Sequence, residues 1–471
     1  MNCVQPALDR VAQSPNRPAI WLPGPGMGKT ASFVELFDLA CALQRSLVAS
    51  GVEAGDLVLL QDRLSVRLYA AVFAILGLGA TVVLIEPWMP AGHVERAAQT
   101  AVPKFFVSGW LGRLWGMRYP AIRAIPRKLD LRRLLQPANG WKFIAEDVEP
   151  DQPGTISFTS GTTGLPKGVV RTQGGLLRQR QVLGRAVNAA QPSGADLCIF
   201  ANFVLANLAS GRPSILLPDP WKPRLLRQLD RLPPALQPHS LACGPAFLSL
   251  LMRHASLPHI KSLHVGGALT DCRTFERAFE RWPQARFRHL HGSTEAEPVA
   301  VADAQAAVRQ SRDNGYFQTL FLGPPVAEIA HDSDARGLWV SGPHVCGPYL
   351  GNHAANRTDK RTDAQGRTWH FMGDRISPSH EGPGWWYRGR ANQPESDFEL
   401  EQRTYSALQS SNCFIHRMHT GEILLVGEVN AAERPPGIDR VVPARIIRDR
   451  RHRARIDRPR TLKEGAKWAP G

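Results

Sequence analysis

Cysteine, acidic residues and long apolar runs are all in short supply in this sequence. Seven cysteines stand at positions 3, 41, 198, 243, 272, 346 and 413 of 471 residues, an odd number, widely scattered and never spaced as C-x-x-C. That pattern argues against a disulfide framework and for reduced thiols in a cytoplasmic protein. The opening MNCVQPALDRVAQ lacks a basic stretch followed by an apolar run and a small-residue cleavage site, so no signal peptide is expected. One uncharged and mostly apolar run, 68–85, reads LYAAVFAILGLGATVVLI. Gly77 and Gly79 split it into a helix-like half and a β-branched half, which predicts a buried helix feeding a buried strand instead of a membrane span. Acidic residues number 41 against 57 Lys and Arg, for a formal charge of +16. Such a charge would suit a polyanion, but basic residues are spread through the chain with acidic ones among them. Only the end is concentrated, with eight arginines in 445–460 followed by Lys463 and Lys467. No nucleic-acid reader motif accompanies that run, so no nucleic-acid partner is expected and the run reads as a solvated face of a small domain.

What is present suits a large globular protein. A 471-residue chain that is 43% hydrophobic can bury a sizeable core and predicts two or three domains. Ser32 can cap a helix, because Phe33, Leu36, Phe37, Ala40, Leu43 and Leu47 recur at helical spacing before Gly51 ends it. GDLVLLQ, TVVLI and KFFVSG then read as buried strands between helices. A second series follows: ADLCIFANF, an apolar helix, SILLPD, a helical PRLLRQLDRL, HSLACG and KSLHVGG. Strands alternating with helices predict α/β subdomains with mostly parallel sheets. After Leu338 the short runs LWVSG, TWHFMG and GWWYRGR predict a small antiparallel β section. The expected organisation is a large domain over 1–389 and a short α+β domain over 390–471 with an ILLVGEV strand.

Two glycine-rich stretches are candidates for holding phosphate. The first, PGPGMGKT at 23–30, has Pro23 where the first glycine of a P-loop is required, and no strong apolar strand is expected immediately before it. A turn is the expectation there, and Lys29 receives no catalytic role. The second, FTSGTTGLPKG at 158–168, follows the β-type run TISF. Gly161 and Gly164 let backbone N–H groups approach oxygens closely, Thr159, Ser160, Thr162 and Thr163 add hydroxyl donors, and Lys167 supplies a point charge. Such a loop can wrap a triphosphate.

FTSGTTGLPKG resembles the signature loop of the adenylate-forming enzymes, which include acyl-CoA synthetases, luciferases and peptide-synthetase adenylation domains. The resemblance implies adenylation of a carboxylic acid by Mg2+-ATP with release of pyrophosphate, then transfer to CoA or an acyl carrier protein. Other landmarks follow in order. VGGALT resembles the family's adenine-side turn and carries Gly266, Gly267 and Ala268. HGSTEAEPV is similar to the Y-G-x-T-E segment, which places His291, Gly292 and Ser293 at the nucleotide, Thr294 at phosphate and Glu295 on magnesium. WVSGPHVCGPYLGN is similar to a structural segment of the family. WHFMGD matches the segment whose aspartate binds the ribose hydroxyls, here Asp374, and WWYRGRANQ resembles the domain-junction segment, with Arg390 reaching the ribose and Asn392 at the hinge.

Three departures stand out. His291 replaces an aromatic residue that stacks on adenine, and PESDFELEQ replaces the glycine-containing loop after the hinge. RHRARID at 451–457 aligns with a relative's R-H-N-A-K-I-D, so Arg455 takes the place of the adenylation lysine, a planar fork in place of a compact ammonium. An alternative alignment through PRTLKEGAK gives that role to Lys467. By the same resemblance, FANFVLANLASG at 200–211 matches the helix start that lines the family's substrate tunnel, with Gly244 on the opposite wall; it holds no aspartate, which predicts a fatty, hydroxy-fatty or aromatic acid over an amino acid. FANFVLANLASG, STEAEPVA, WHFMGD and RHRARID look most like olefin β-lactone synthetases, in which a β-hydroxyl of the substrate displaces AMP. A catalytically degenerate ATP-binding member is the further alternative.

Overall fold

The computed structural model describes the chain apart from residues 25–27, 136–139, 160–164, 187–193, 431, 449–454 and 466–471. It divides into two compact units: Met1–Leu241 with Thr294–Glu297 and Val340–His370, and Ala242–Ser293 with Pro298–Trp339 and Phe371–Gly471.

In the first unit, the helix after Ser32 spans Phe33–Ala49. Ser32 and Glu35 cap it reciprocally, each side chain satisfying the other's backbone N–H. Its apolar stripe is buried as the spacing requires. The uncharged run at 68–85 folds as the helix Val66–Gly77 followed by the strand Thr81–Leu84. Gly79 between them has φ 69°, and a Cβ there would lie 2.7 Å from the Val148 side chain, so glycine is required. Among the described residues no helix is long and apolar enough to cross a membrane. Arg127–Asp130, Phe105–Ser108, Leu57–Gln61, Thr81–Leu84 and Pro153–Thr159 form a parallel sheet in that order, and Lys167–Thr172 closes its edge antiparallel to Pro153–Thr159. Leu59, Val83, Phe106, Ile156 and Phe158 pack beneath it.

Two expectations fail locally in this unit. An apolar strand, Pro18–Leu22, does precede PGPGMGKT, and it turns back into Lys29–Ser32 with Leu22 paired to Lys29. The glycine-rich stretch therefore joins two antiparallel strands instead of leading a strand into a helix. Residues 25–27 of it lie outside the described residues, and Lys29 is exposed. PRLLRQLDRL is not one helix: Pro223–Leu226 is a single turn and Leu229–Arg231 a 3-10 turn. The segment is short and runs into Pro233 and Pro234, whose rings fix φ and whose nitrogens donate no hydrogen bond.

The second unit contains the parallel pair Ser262–Gly266 and Arg286–Ser293. Its antiparallel sheet, Phe321–Gly323, Trp385–Arg390 and Asp374–Pro378, supplies part of the expected β section. PESDFELEQ opens the helix Glu395–Leu408, whose first turn carries Glu395 and Asp397 where the helix dipole favours them. Beyond it Cys413–Arg417, Ile423–Gly427 and Arg440–Pro443 form a small mixed sheet. Tyr405, Cys413, Ile415 and Leu425 are buried on one side, and Phe414, Leu424, Val426 and Ala444 cluster separately. The alternation along the strands produces these two cores.

Candidate active site

In the first unit the signature stretch is the connection of a β-hairpin. Thr159 pairs with Lys167 and Phe158 with Gly168, so Thr159 and Lys167 face each other at its mouth. Ser160, Gly161, Thr162, Thr163 and Gly164 lie outside the described residues. Gly168 exchanges backbone contact with Leu350, whose N–H donates to the Gly168 carbonyl at 2.9 Å. A Cβ at 168 would stand 3.1 Å from the Leu350 Cβ, so the lack of a side chain permits this approach.

That contact brings Tyr349 to the hairpin. The Lys167 Nζ lies 5.2 Å from the Tyr349 ring centroid and pairs with Asp359 Oδ2 at 2.6 Å. The Tyr349 hydroxyl donates to Glu295 Oε1 at 2.9 Å. Glu295 is further tied by its carbonyl, which accepts the Cys346 N–H at 2.8 Å. The Lys360 ammonium donates to the Cys346 carbonyl at 2.7 Å and stands 4.9 Å from the Tyr349 centroid. Arg171 bridges the hairpin to the neighbouring residue, donating to Ser157 Oγ at 3.1 Å and to the Thr294 carbonyl at 2.6 Å. Lys167 and Glu295, distant in sequence, are thus held around one tyrosine, and Arg171 ties the neighbouring Thr294 backbone to the hairpin.

The electrostatics keep Glu295 ionised. Burial alone would raise its pKa, yet the value falls to about 2 because His370, the Tyr349 hydroxyl and Lys360 favour the carboxylate. His370 Nε2 is 3.9 Å from Glu295 Oε2, but burial and the Lys360 charge push its own pKa down to about 4. At neutral pH Lys360 is therefore the charge that remains beside Glu295. One buried, ionised carboxylate fits magnesium, which keeps several waters and takes only one or two protein carboxylates beside substrate phosphates. Among the described residues no cluster of three or more His, Cys, Asp or Glu side chains could hold a metal by itself.

The second unit brings together the nucleoside candidates. Gly266 pairs with Leu290 across parallel strands, which sets the turn carrying Gly267 and Ala268 beside His291, Gly292 and Ser293. A Cβ on Gly266 would meet the Leu290 carbonyl at 2.8 Å, and Gly267 has φ 84°. Asp374 and Arg390 face each other across the antiparallel sheet. The Arg390 guanidinium donates to Asp374 Oδ1 at 2.5 Å, while His291 Nε2 lies 3.3 Å from Oδ2. Burial pushes the Asp374 pKa up, but His291 and Arg390 more than offset it and hold it below the ordinary carboxylate range. Two carboxylate oxygens offer about four lone-pair directions, so Asp374 can still accept from two hydroxyls. His291 stands 6.4 Å from the Tyr387 ring, tilted by 54°. The Arg455 Nε donates to the Gly267 carbonyl at 3.3 Å, which sets this exposed guanidinium on the glycine turn. Lys467 lies outside the described residues, and Asn392 is exposed in a turn.

Sequence reasoning missed Asp359, Lys360, Arg171 and the polar role of Tyr349. The segment holding Tyr349 reads as structural in sequence, and Asp359 is 192 residues from Lys167, so spacing gives no cue to the pair. The acyl-wall stretch forms the helix Ala201–Ala209, with Phe203, Val204 and Leu208 buried and Asn207 donating to Asp196 at 2.7 Å. Gly244 caps the separate helix Pro245–His254.

Residues 8–349 match the family described as AMP-binding enzyme. An olefin beta-lactone synthetase of Xanthomonas campestris pv. campestris is 26% identical over 441 residues, covering 83% of this chain and 79% of that protein. Peroxisomal OPC-8:0-CoA ligase 1 of Arabidopsis thaliana is 22% identical over 387 residues, covering 74% of this chain and 68% of that one. The crystal structure of IdnL7 shares the fold, with a TM-score of 0.78, 19% identity and 99% coverage of both chains. The chain belongs to the AMP-binding enzyme family, as an acid-activating ligase.

Proposed function

We propose that this chain adenylates a fatty, hydroxy-fatty or aromatic carboxylic acid with ATP and then passes the acyl group to CoA or an acyl carrier protein. The observation that carries this proposal is the convergence of Lys167 and Glu295 on Tyr349, one by ring contact and the other by hydrogen bond. A substrate carboxylate oxygen attacks the α-phosphorus of ATP, the bond to the bridging oxygen breaks, and pyrophosphate leaves with its electron pair. Lys167, with Thr159, Ser160, Gly161, Thr162, Thr163 and Gly164, holds the phosphates, and Thr294 donates to them. Asp359 competes with phosphate for the Lys167 ammonium, so nucleotide entry exchanges one anion for another at that nitrogen. Glu295 would hold magnesium, which supplies charge neutralisation on the phosphates. Asp374 and Arg390 take the ribose, and Gly266, Gly267, Ala268, His291, Gly292 and Ser293 take the base side. Arg455 or Lys467 supplies the cation for the adenylation step. Residues 1–389 form the adenylate-forming domain and 390–471 a smaller one, a division supported by the separate core of Phe414, Leu424 and Val426. Seven scattered cysteines, none spaced as C-x-x-C, support work in the cytoplasm.

A second reading, closure of a β-hydroxyacyl-adenylate into a β-lactone, is favoured by the 26% identity to olefin beta-lactone synthetase over most of both chains. Product analysis after incubation with ATP and a panel of acids, with no acceptor, with CoA and with a carrier protein, separates the two. A thioester formed only with an acceptor supports ligation, and AMP release with a lactone mass in its absence supports closure. ATP binding without either product identifies a degenerate member.

A further inference from the structure

Basic residues are concentrated in a second place that the sequence-wide distribution conceals. Segment 110–133, WLGRLWGMRYPAIRAIPRKLDLRR, carries seven Lys and Arg and one acidic residue, Asp130. All seven basic side chains are exposed. The same segment presents large apolar groups to solvent: Trp110, Leu114 and Met117 are 47%, 51% and 56% exposed. Trp110 and Leu114 lie one turn apart on the helix Trp110–Gly116, and Met117 follows at its end, so the three share one side. Isolated exposed apolar residues are ordinary, but a contiguous group ringed by cations marks an interaction surface.

The surroundings define what that surface fits. The Arg63 guanidinium stands 5.9 Å from the Trp110 ring centroid. Arg113, Arg123 and Lys128 border a shallow cavity of about 130 Å³ floored by Phe106, Met117 and Ile122. Gly116 keeps the cavity open, since a Cβ there would come within 2.7 Å of the Phe106 ring. The Lys128 ammonium is fixed at the rim by donation to the Ile125 carbonyl at 2.7 Å. Cations at the edge and apolar side chains pointing outward match a lipid interface, where phosphate lies at the level of tryptophan and the acyl boundary lies just beneath. A soluble polyanion would use the cations and leave Leu114 and Met117 without a partner.

We propose that this face docks peripherally on an anionic lipid bilayer, with Trp110, Leu114 and Met117 entering the interface and Arg113, Arg123 and Lys128 meeting lipid phosphate. The proposal stands independently of the acid and acceptor assigned above. Each basic residue at such a surface strengthens binding roughly fivefold, so the effect of several is measurable and declines with salt.

Flotation of the full chain with vesicles of phosphatidylcholine alone and of phosphatidylcholine with roughly one third phosphatidylglycerol tests it. The expected result is capture by the anionic vesicles and not by the neutral ones. The paired substitutions Arg113→Glu with Arg123→Glu, and Leu114→Glu with Met117→Glu, each reduce partition by about tenfold or more. Their thermal melting, read by circular dichroism, stays at the wild-type value because all four side chains are exposed. Absence of capture overturns the proposal. So does capture that survives both pairs, which would place binding elsewhere, such as in 445–460. If only the arginine pair matters, the face is a polyanion site and the bilayer proposal also fails.

Discussion

Replacing Tyr349 with Phe removes one oxygen from the point where Glu295 and Lys167 meet. The lost hydroxyl donates at 2.9 Å to a buried carboxylate, with both residues inside the first unit. A hydrogen bond to a charged group contributes about 1.5–3 kcal/mol, because its loss leaves buried charge without a donor. Folding equilibrium should therefore weaken by about tenfold to 150-fold, with the ring retained and little cavity formed. Urea unfolding at neutral pH measures this directly, provided the slope m is unchanged. A double-mutant cycle with Glu295→Gln assigns the loss: once Glu295→Gln has removed the charged acceptor, Tyr349→Phe should cost well under half as much. Equal costs in both backgrounds would refute the role given to Tyr349. ATP–pyrophosphate exchange in the single variant should fall with the stability of the carboxylate's placement, whereas an unchanged exchange rate would show that Glu295 needs no orientation.

Three further outcomes follow from local structure. Ser32→Ala breaks the capping box on Phe33–Ala49 and should lower unfolding stability by about 1 kcal/mol while leaving nucleotide binding unchanged. Burial, aided by the nearby His291, pushes the His289 pKa down to about 4. An unfolded histidine titrates near 6.5, so stability is full above that pH and is lost as pH falls toward 4, by up to about 3 kcal/mol. His289→Gln should flatten this part of a stability profile measured by urea midpoints, and an unaltered profile contradicts the assignment. Asp359→Asn should lower the KM for ATP a few-fold by removing a competing anion from Lys167, and a raised KM would show instead that Asp359 positions the lysine.

Elements fixed by local periodicity and capping were legible in the sequence. The Ser32-capped helix and the split of 68–85 at its glycines both appear as expected, because burial of one helix face and the left-handed backbone at Gly79 leave few alternatives. Short elements were not. PRLLRQLDRL has helical spacing over too few residues to outweigh the prolines after it, and the strand before PGPGMGKT is only five residues long. Of the candidate site, the residue types carried by motifs were legible, whereas the residues that orient them were not. Tyr349, Asp359 and Lys360 meet Glu295 and Lys167 only through tertiary pairing, and none lies in a stretch with a chemical signature of its own. The 110–133 face was concealed for another reason: its cations are interspersed with apolar residues that look like core until their exposure is known.

Acid-dependent exchange of labelled pyrophosphate into ATP tests the central claim most directly, because only reversible formation of an acyl-adenylate couples the two. Label should enter ATP in the presence of an accepted carboxylic acid and not without one, and Lys167→Ala and Glu295→Ala should each reduce the rate by more than roughly tenfold. Exchange that ignores the acid, or wild-type rates in both variants, would contradict the account.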